Sequence, residues 1–91
     1  MERLQGTAAR ALQDILHNQP TTSGKVAFAW QIAAGPAMGR AAVLEWSRDG
    51  ILRIRARDEA WRREIRRSQP IIAERMSQLL GPDVIRQIVI D

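Results

Sequence analysis

The sequence predicts a single α+β domain, and three observations carry that prediction. The hydrophobic period changes from helical to alternating near Ala42 and back to helical near Asp58. Between the two alternating runs stands Asp49-Gly50, the strongest hairpin turn signal in the chain. No repeat, low-complexity tract or linker divides the 91 residues, of which 45% are hydrophobic, enough for one small core. One domain over 1–91 is therefore expected, with 1–40 a helical N-terminal part and 41–91 a hairpin, two helices and a final strand.

Taken in order, Leu4, Ala8, Ala11, Leu12, Ile15 and Leu16 recur at helical spacing and predict an amphipathic helix from Glu2 to His17. Asn18-Gln19-Pro20-Thr21-Thr22-Ser23-Gly24 breaks it. A second helix is expected from Thr22 or Ser23 to Ala34, with Val26, Ala27, Trp30 and Ala33 on its apolar stripe, ended or kinked by Gly35-Pro36. Val43-Leu44-Glu45-Trp46-Ser47 alternates and places Leu44 and Trp46 together under a sheet. After the turn, Leu52, Ile54 and Ala56 point one way while Arg53, Arg55 and Arg57 point the other.

A helical pattern then runs from Asp58 to Leu80, yet Pro70 lies in its middle. Because proline is tolerated in a first turn and not in an interior, the pattern predicts two helices, Asp58–Arg67 and Pro70–Leu80. Ser68-Gln69 would be the joint, with Ser68 a cap. Gly81-Pro82 ends the second, and Val84 to Ile90, rich in β-branched residues, reads as a terminal strand.

Composition narrows the function. There is no cysteine, which removes disulfides, cysteine-based metal sites and thiol nucleophiles. No apolar run approaches the roughly 18 residues of a spanning helix. Met1 to Gly6 lacks the basic and apolar regions of a signal peptide, so a cytoplasmic protein without membrane association is expected. The net charge is +4, and Lys25 is the only lysine among 14 basic residues. A GC-rich genome would favour arginine throughout, but would not cluster it.

Enzyme chemistry has little support, and neither cofactor nor small-molecule substrate is expected. His17, the single histidine, sits at a helix end, where capping carbonyls is its ordinary role. Gly24-Lys25 resembles the end of a phosphate loop, but Gln19 replaces the first glycine, Val26 the Ser/Thr, and no strand precedes it. Asp58, Glu59 and Glu64 lie among arginines and read as ion-pair partners, with Asp58 and Glu59 favoured by the helix dipole. No metal-ligand cluster is present in the pattern.

What the pattern does offer is Arg53, Arg55, Arg57, Arg62, Arg63, Arg66 and Arg67, seven arginines within fifteen residues on one strand face and one helix. Alternate strand residues are about 6.6–6.8 Å apart, so the first three form a row of donors able to follow a phosphate backbone without reading sequence. The plainer reading is a solvated amphipathic face whose charges guard a sheet edge. The tryptophans read chiefly as core: Trp30 on its helix stripe, Trp46 under the sheet, Trp61 paired with Ile65. An exposed Trp61 would instead stack a base beside Arg62. Met38 and Met76 read as gap-fillers.

The order of landmarks suggests a relationship. Trp30-x4-Gly35, a hairpin around Asp49-Gly50-x-Leu52-x-Ile54, Trp61-x3-Ile65, Leu79-Leu80-Gly81 and a final Val84…Ile88-x-Ile90 resemble the DciA family, bacterial proteins that assist loading of the replicative DNA helicase. The likeness covers residues 4–90 and rests on spaced tryptophans, glycines and apolar positions rather than on a catalytic signature. It implies a KH-like αββααβ domain with an additional N-terminal helix, and a non-enzymatic partner of the replicative helicase and of DNA. Arg67-Ser68-Gln69-Pro70 lacks the G-x-x-G that clamps a backbone in nucleic-acid-binding KH domains. The arginines of the strand and helix are therefore the better candidates for DNA, single- or double-stranded. Two alternatives stand beside this: a protein-interaction module without nucleic-acid affinity, and a general RNA- or DNA-binding KH-like protein.

Overall fold

A computed structural model describes residues 10–11 and 20–91. The expected helix Glu2–His17 and the histidine at its end lie outside the described residues, save Arg10 and Ala11, which are helical. The elements that follow are α1 (Ser23–Ala34), α2 (Pro36–Gly39), β1 (Ala42–Trp46), β2 (Ile51–Ala56), α3 (Glu59–Leu80) and β3 (Gln87–Ile90).

Helix α1 starts where the sequence places it, because Thr22 has extended backbone and its hydroxyl accepts from the Lys25 amide at 3.1 Å. Gly35, at φ +86°, ends it, and its own amide donates to the Gln31 carbonyl at 3.1 Å. Pro36 then occupies the first position of α2, where its missing amide costs nothing. The α2 carbonyl of Gly39 accepts from the indole of Trp30 and the side-chain amide of Gln31, which ties the short helix to α1. The buried stripe of α1 is Val26, Ala29, Trp30 and Ala33 with Lys25; Ala27, expected on it, is exposed. Gly24 and Lys25 form the first turn of a helix rather than a phosphate loop.

Strands β1 and β2 form the expected antiparallel hairpin, with Ala42 opposite Ala56 and Trp46 opposite Leu52. Gly50 closes the turn at φ +88°, its amide donating to Ser47, and a side chain there would meet Arg86. Strand β3 lies parallel to β2, so the sheet order is β1-β2-β3 and the arginine-bearing strand is central. Its charges therefore do not guard an edge. Parallel pairing requires a crossover, and α3 supplies it. Pairing begins only at Gln87; Val84 and Ile85 remain outside the strand, half-buried against the core, with the Val84 carbonyl accepting from the Trp46 indole.

The largest departure concerns α3, which runs unbroken for 22 residues through Pro70. The expected pair of helices is one helix, and Ser68-Gln69 is no joint. Pro70 is exposed, which leaves solvent access beside the carbonyl that loses its partner, while Ile65, Ile72, Met76, Leu79 and Leu80 bury a single stripe on both sides of it. Packing overrides local preference. As a result Arg67-Ser68-Gln69-Pro70 is helical.

Helices α1 and α3 cover one face of the sheet, and Trp30, Leu52, Ile54, Ile65 and Met76 meet between the layers. Arg75 reaches from α3 to the Ala33 carbonyl at 3.0 Å and fastens the end of α1. The other face of the sheet carries no element among the described residues.

Candidate nucleic-acid interface

Strand periodicity sends Leu52 and Ile54 into the core and Arg53 and Arg55 to the open face of the sheet. Arg57 follows the strand and donates its amide to the Ala41 carbonyl at 2.7 Å. Helix α3 opens on Asp58, whose carboxylate accepts from the Trp61 amide at 2.9 Å. The buried stripe of α3 begins at Ile65, so Arg63, Arg66 and Arg67 lie on the opposite, solvent side, while Arg62 borders the buried side and is half-buried.

These placements divide the cluster. The buried side of α3 faces Leu52 and Ile54, so Arg63, Arg66 and Arg67 point away from the sheet, whereas Arg53 and Arg55 point out of the other side of the domain. The seven arginines occupy two opposed surfaces, with Arg57 at the joint between them. A helix of roughly 10 Å diameter separates them, and one straight duplex cannot lie against both.

Their electrostatics differ too. Arg53 is 3.9 Å from Asp91 and stands directly across from Glu45. Arg57 lies 3.9 Å from Asp58, Arg62 3.7 Å from Glu59, and Arg67 3.4 Å from Glu64. Asp58, Glu59 and Glu64 are thus the ion-pair partners expected of them. Such solvated pairs are worth about 0–1 kcal/mol, so they exchange readily for another anion. Arg55, Arg63 and Arg66 make no ion pair among the described residues. The Arg62 Nε is buried without a hydrogen bond, which makes this guanidinium the least available of the seven.

Trp30 is buried in the core and Trp46 is half-buried beneath the sheet, as their positions predict. Trp61 is half-buried at the start of α3 and is not among the residues packed on the core cluster. Met76 is buried and Met38 packs at the core margin. Among the described residues no three His, Cys, Asp or Glu side chains could hold a metal ion, and no helix is long and apolar enough to cross a membrane.

Sequence reasoning did not single out Val43, which is 71% exposed on the open sheet face beside Arg55. The alternation that sends Leu44 and Trp46 inward already assigns Val43 and Glu45 outward. What the alternation could not show is that no element among the described residues covers this face.

No curated protein and no solved structure shows significant similarity to this chain. A family model described as "Dna[CI] antecedent, DciA" matches residues 3–90, which include the hairpin, α3 and β3. The chain belongs to the DciA family.

Proposed function

We propose that this chain is a non-enzymatic accessory protein of DNA replication, which binds the replicative DNA helicase and contacts DNA without reading its sequence. Family membership carries the first half of the reading, since the family implies an accessory role in helicase loading. The second half rests on the solvent side of α3, where Arg63 and Arg66 have no carboxylate partner among the described residues and Arg67 holds its own loosely, as does Arg57 just before the helix. Backbone phosphates meeting these guanidiniums would give affinity without specificity. A KH-like architecture fits the hairpin, the crossover helix and the parallel third strand. With α3 continuous through Pro70, DNA would engage the helix surface rather than a glycine loop. Such a role places the protein in the cytoplasm with the chromosome.

Titration of fluorescent single- and double-stranded oligonucleotides at several salt concentrations tests the DNA contact. If about four phosphates are neutralised on a duplex, log K falls against log salt with a slope of roughly −3.6. A flat response overturns it. One observation favours a second reading, a protein-interaction module without nucleic-acid affinity: four of the seven arginines already have a carboxylate within 4 Å. On that reading the domain binds the helicase while oligonucleotide affinity is negligible at every salt concentration.

A further inference from the structure

Resting on the helicase-binding reading above, we propose that the open face of the sheet, centred on Val43 and Arg55, is the surface that docks the helicase, separate from the arginines of α3. A shallow depression there is lined by Val43, Glu45, Arg53, Arg55 and Asp91, with Leu44 beneath.

Charge separates this face from the α3 surface. Arg53 and Arg55 are balanced by Glu45 and Asp91, so the face has no net charge to draw a polyanion. A phosphate approaching Arg53 would also approach the carboxylates of Asp91 and Glu45. Mixed signs around an exposed apolar residue suit a protein surface instead, where complementary charges set register and the apolar contact supplies affinity.

The geometry specifies what such a partner presents. Val43 and Arg55 stand directly opposite each other on β1 and β2, and Arg55 has no ion pair among the described residues. An apolar side chain seated on Val43, with a carboxylate beside it for Arg55, complements the pair. The support is firm, because Arg55 stands on the central strand, flanked by residues of the core layer.

Size argues for a transient contact rather than a permanent pairing with a second copy. Three strands about 4.8 Å apart and roughly 20 Å long offer on the order of 300 Å². A stable self-association buries about 800 Å² per partner. A face this small serves a transient contact.

The test compares wild type, V43D/R55E, the milder R55A, and R63E/R66E. Association with the replicative helicase of the same organism is measured by biolayer interferometry, and oligonucleotide affinity by salt titration. All substituted residues are exposed, and thermal melts verify folding. The proposal expects V43D/R55E to lose at least tenfold in helicase affinity, and R55A a smaller factor, with oligonucleotide affinity and salt slope near wild type. R63E/R66E should show the reverse. Helicase affinity unchanged in both sheet variants overturns the proposal and leaves the general reading standing. Loss of oligonucleotide binding with helicase binding intact in V43D/R55E also overturns it and assigns the sheet to nucleic acid. A wild-type domain that binds no helicase overturns both readings.

Discussion

Replacing Pro70 with alanine should stabilise this domain, and the size of the effect follows from the continuity of α3. Inside a helix, proline costs about 3 kcal/mol relative to alanine, through the lost amide hydrogen bond and the clash of its ring with the preceding turn. Pro70 is the twelfth of the 22 residues of α3 and is exposed, so the substitution disturbs no buried contact. Against the gain stands the restriction proline imposes on the unfolded chain, about 0.4–1 kcal/mol, which alanine gives up. The net expectation is about 2 kcal/mol of added stability. For a domain of this size that raises the Tm on the order of 10 °C. Thermal unfolding followed by circular dichroism measures it, and amide exchange would show the N–H gained at position 70 protected by the Arg66 carbonyl. If α3 were two helices meeting at Ser68-Gln69, Pro70 would occupy a favoured first-turn position, and P70A would leave the Tm unchanged or lower it. That outcome would refute the argument that buried packing carries the helix through the proline.

Other expectations rest on equally local geometry. Leu52 is fully buried on the central strand, so L52A should destabilise the domain by about 2–5 kcal/mol in urea unfolding. Gly50 holds φ +88° and an added Cβ would sit 2.9 Å from the Arg86 side chain, so G50A should cost about 1 kcal/mol or more, chiefly from the backbone. Removing both guanidiniums in R63A/R66A should reduce the steepness of the salt dependence on duplex DNA by about 1.8, equally for unrelated sequences.

Much of this architecture was legible because short-range chemistry agrees with long-range packing. Thr22, Gly35 and Asp49-Gly50 place the limits of α1 and the hairpin turn, and alternation fixes which side chains of the hairpin face inward. Where the two conflict, local rules mislead. Pro70 marks a helix boundary for a segment considered alone, but the stripe from Ile65 to Leu80 binds both halves to one core. Ala29 rather than Ala27 lies on the buried stripe of α1, because two small residues differ little in hydrophobic signal and only the direction of the neighbouring layer decides between them. Val84 and Ile85 have strand-forming side chains, yet they close the core before β3 begins to pair.

The candidate site was legible as residues and not as a surface. Adjacency in sequence suggested one patch from Arg53 to Arg67. The crossover that makes β2 and β3 parallel turns α3 back over the inner face, so the arginines of strand and helix end on opposite sides. Nothing in the spacing of the arginines encodes that; it follows from which strand pairs with which. The same topology makes β2 central and removes the edge-guarding explanation for its charges.

The most direct test of the account is light scattering of the purified domain mixed with the replicative helicase of its own organism, with and without single-stranded DNA. A complex heavier than the helicase alone, formed in the absence of DNA and retained in its presence, is the predicted result. No association, alongside steep salt-dependent binding to DNA, would contradict the account and leave a general nucleic-acid-binding domain.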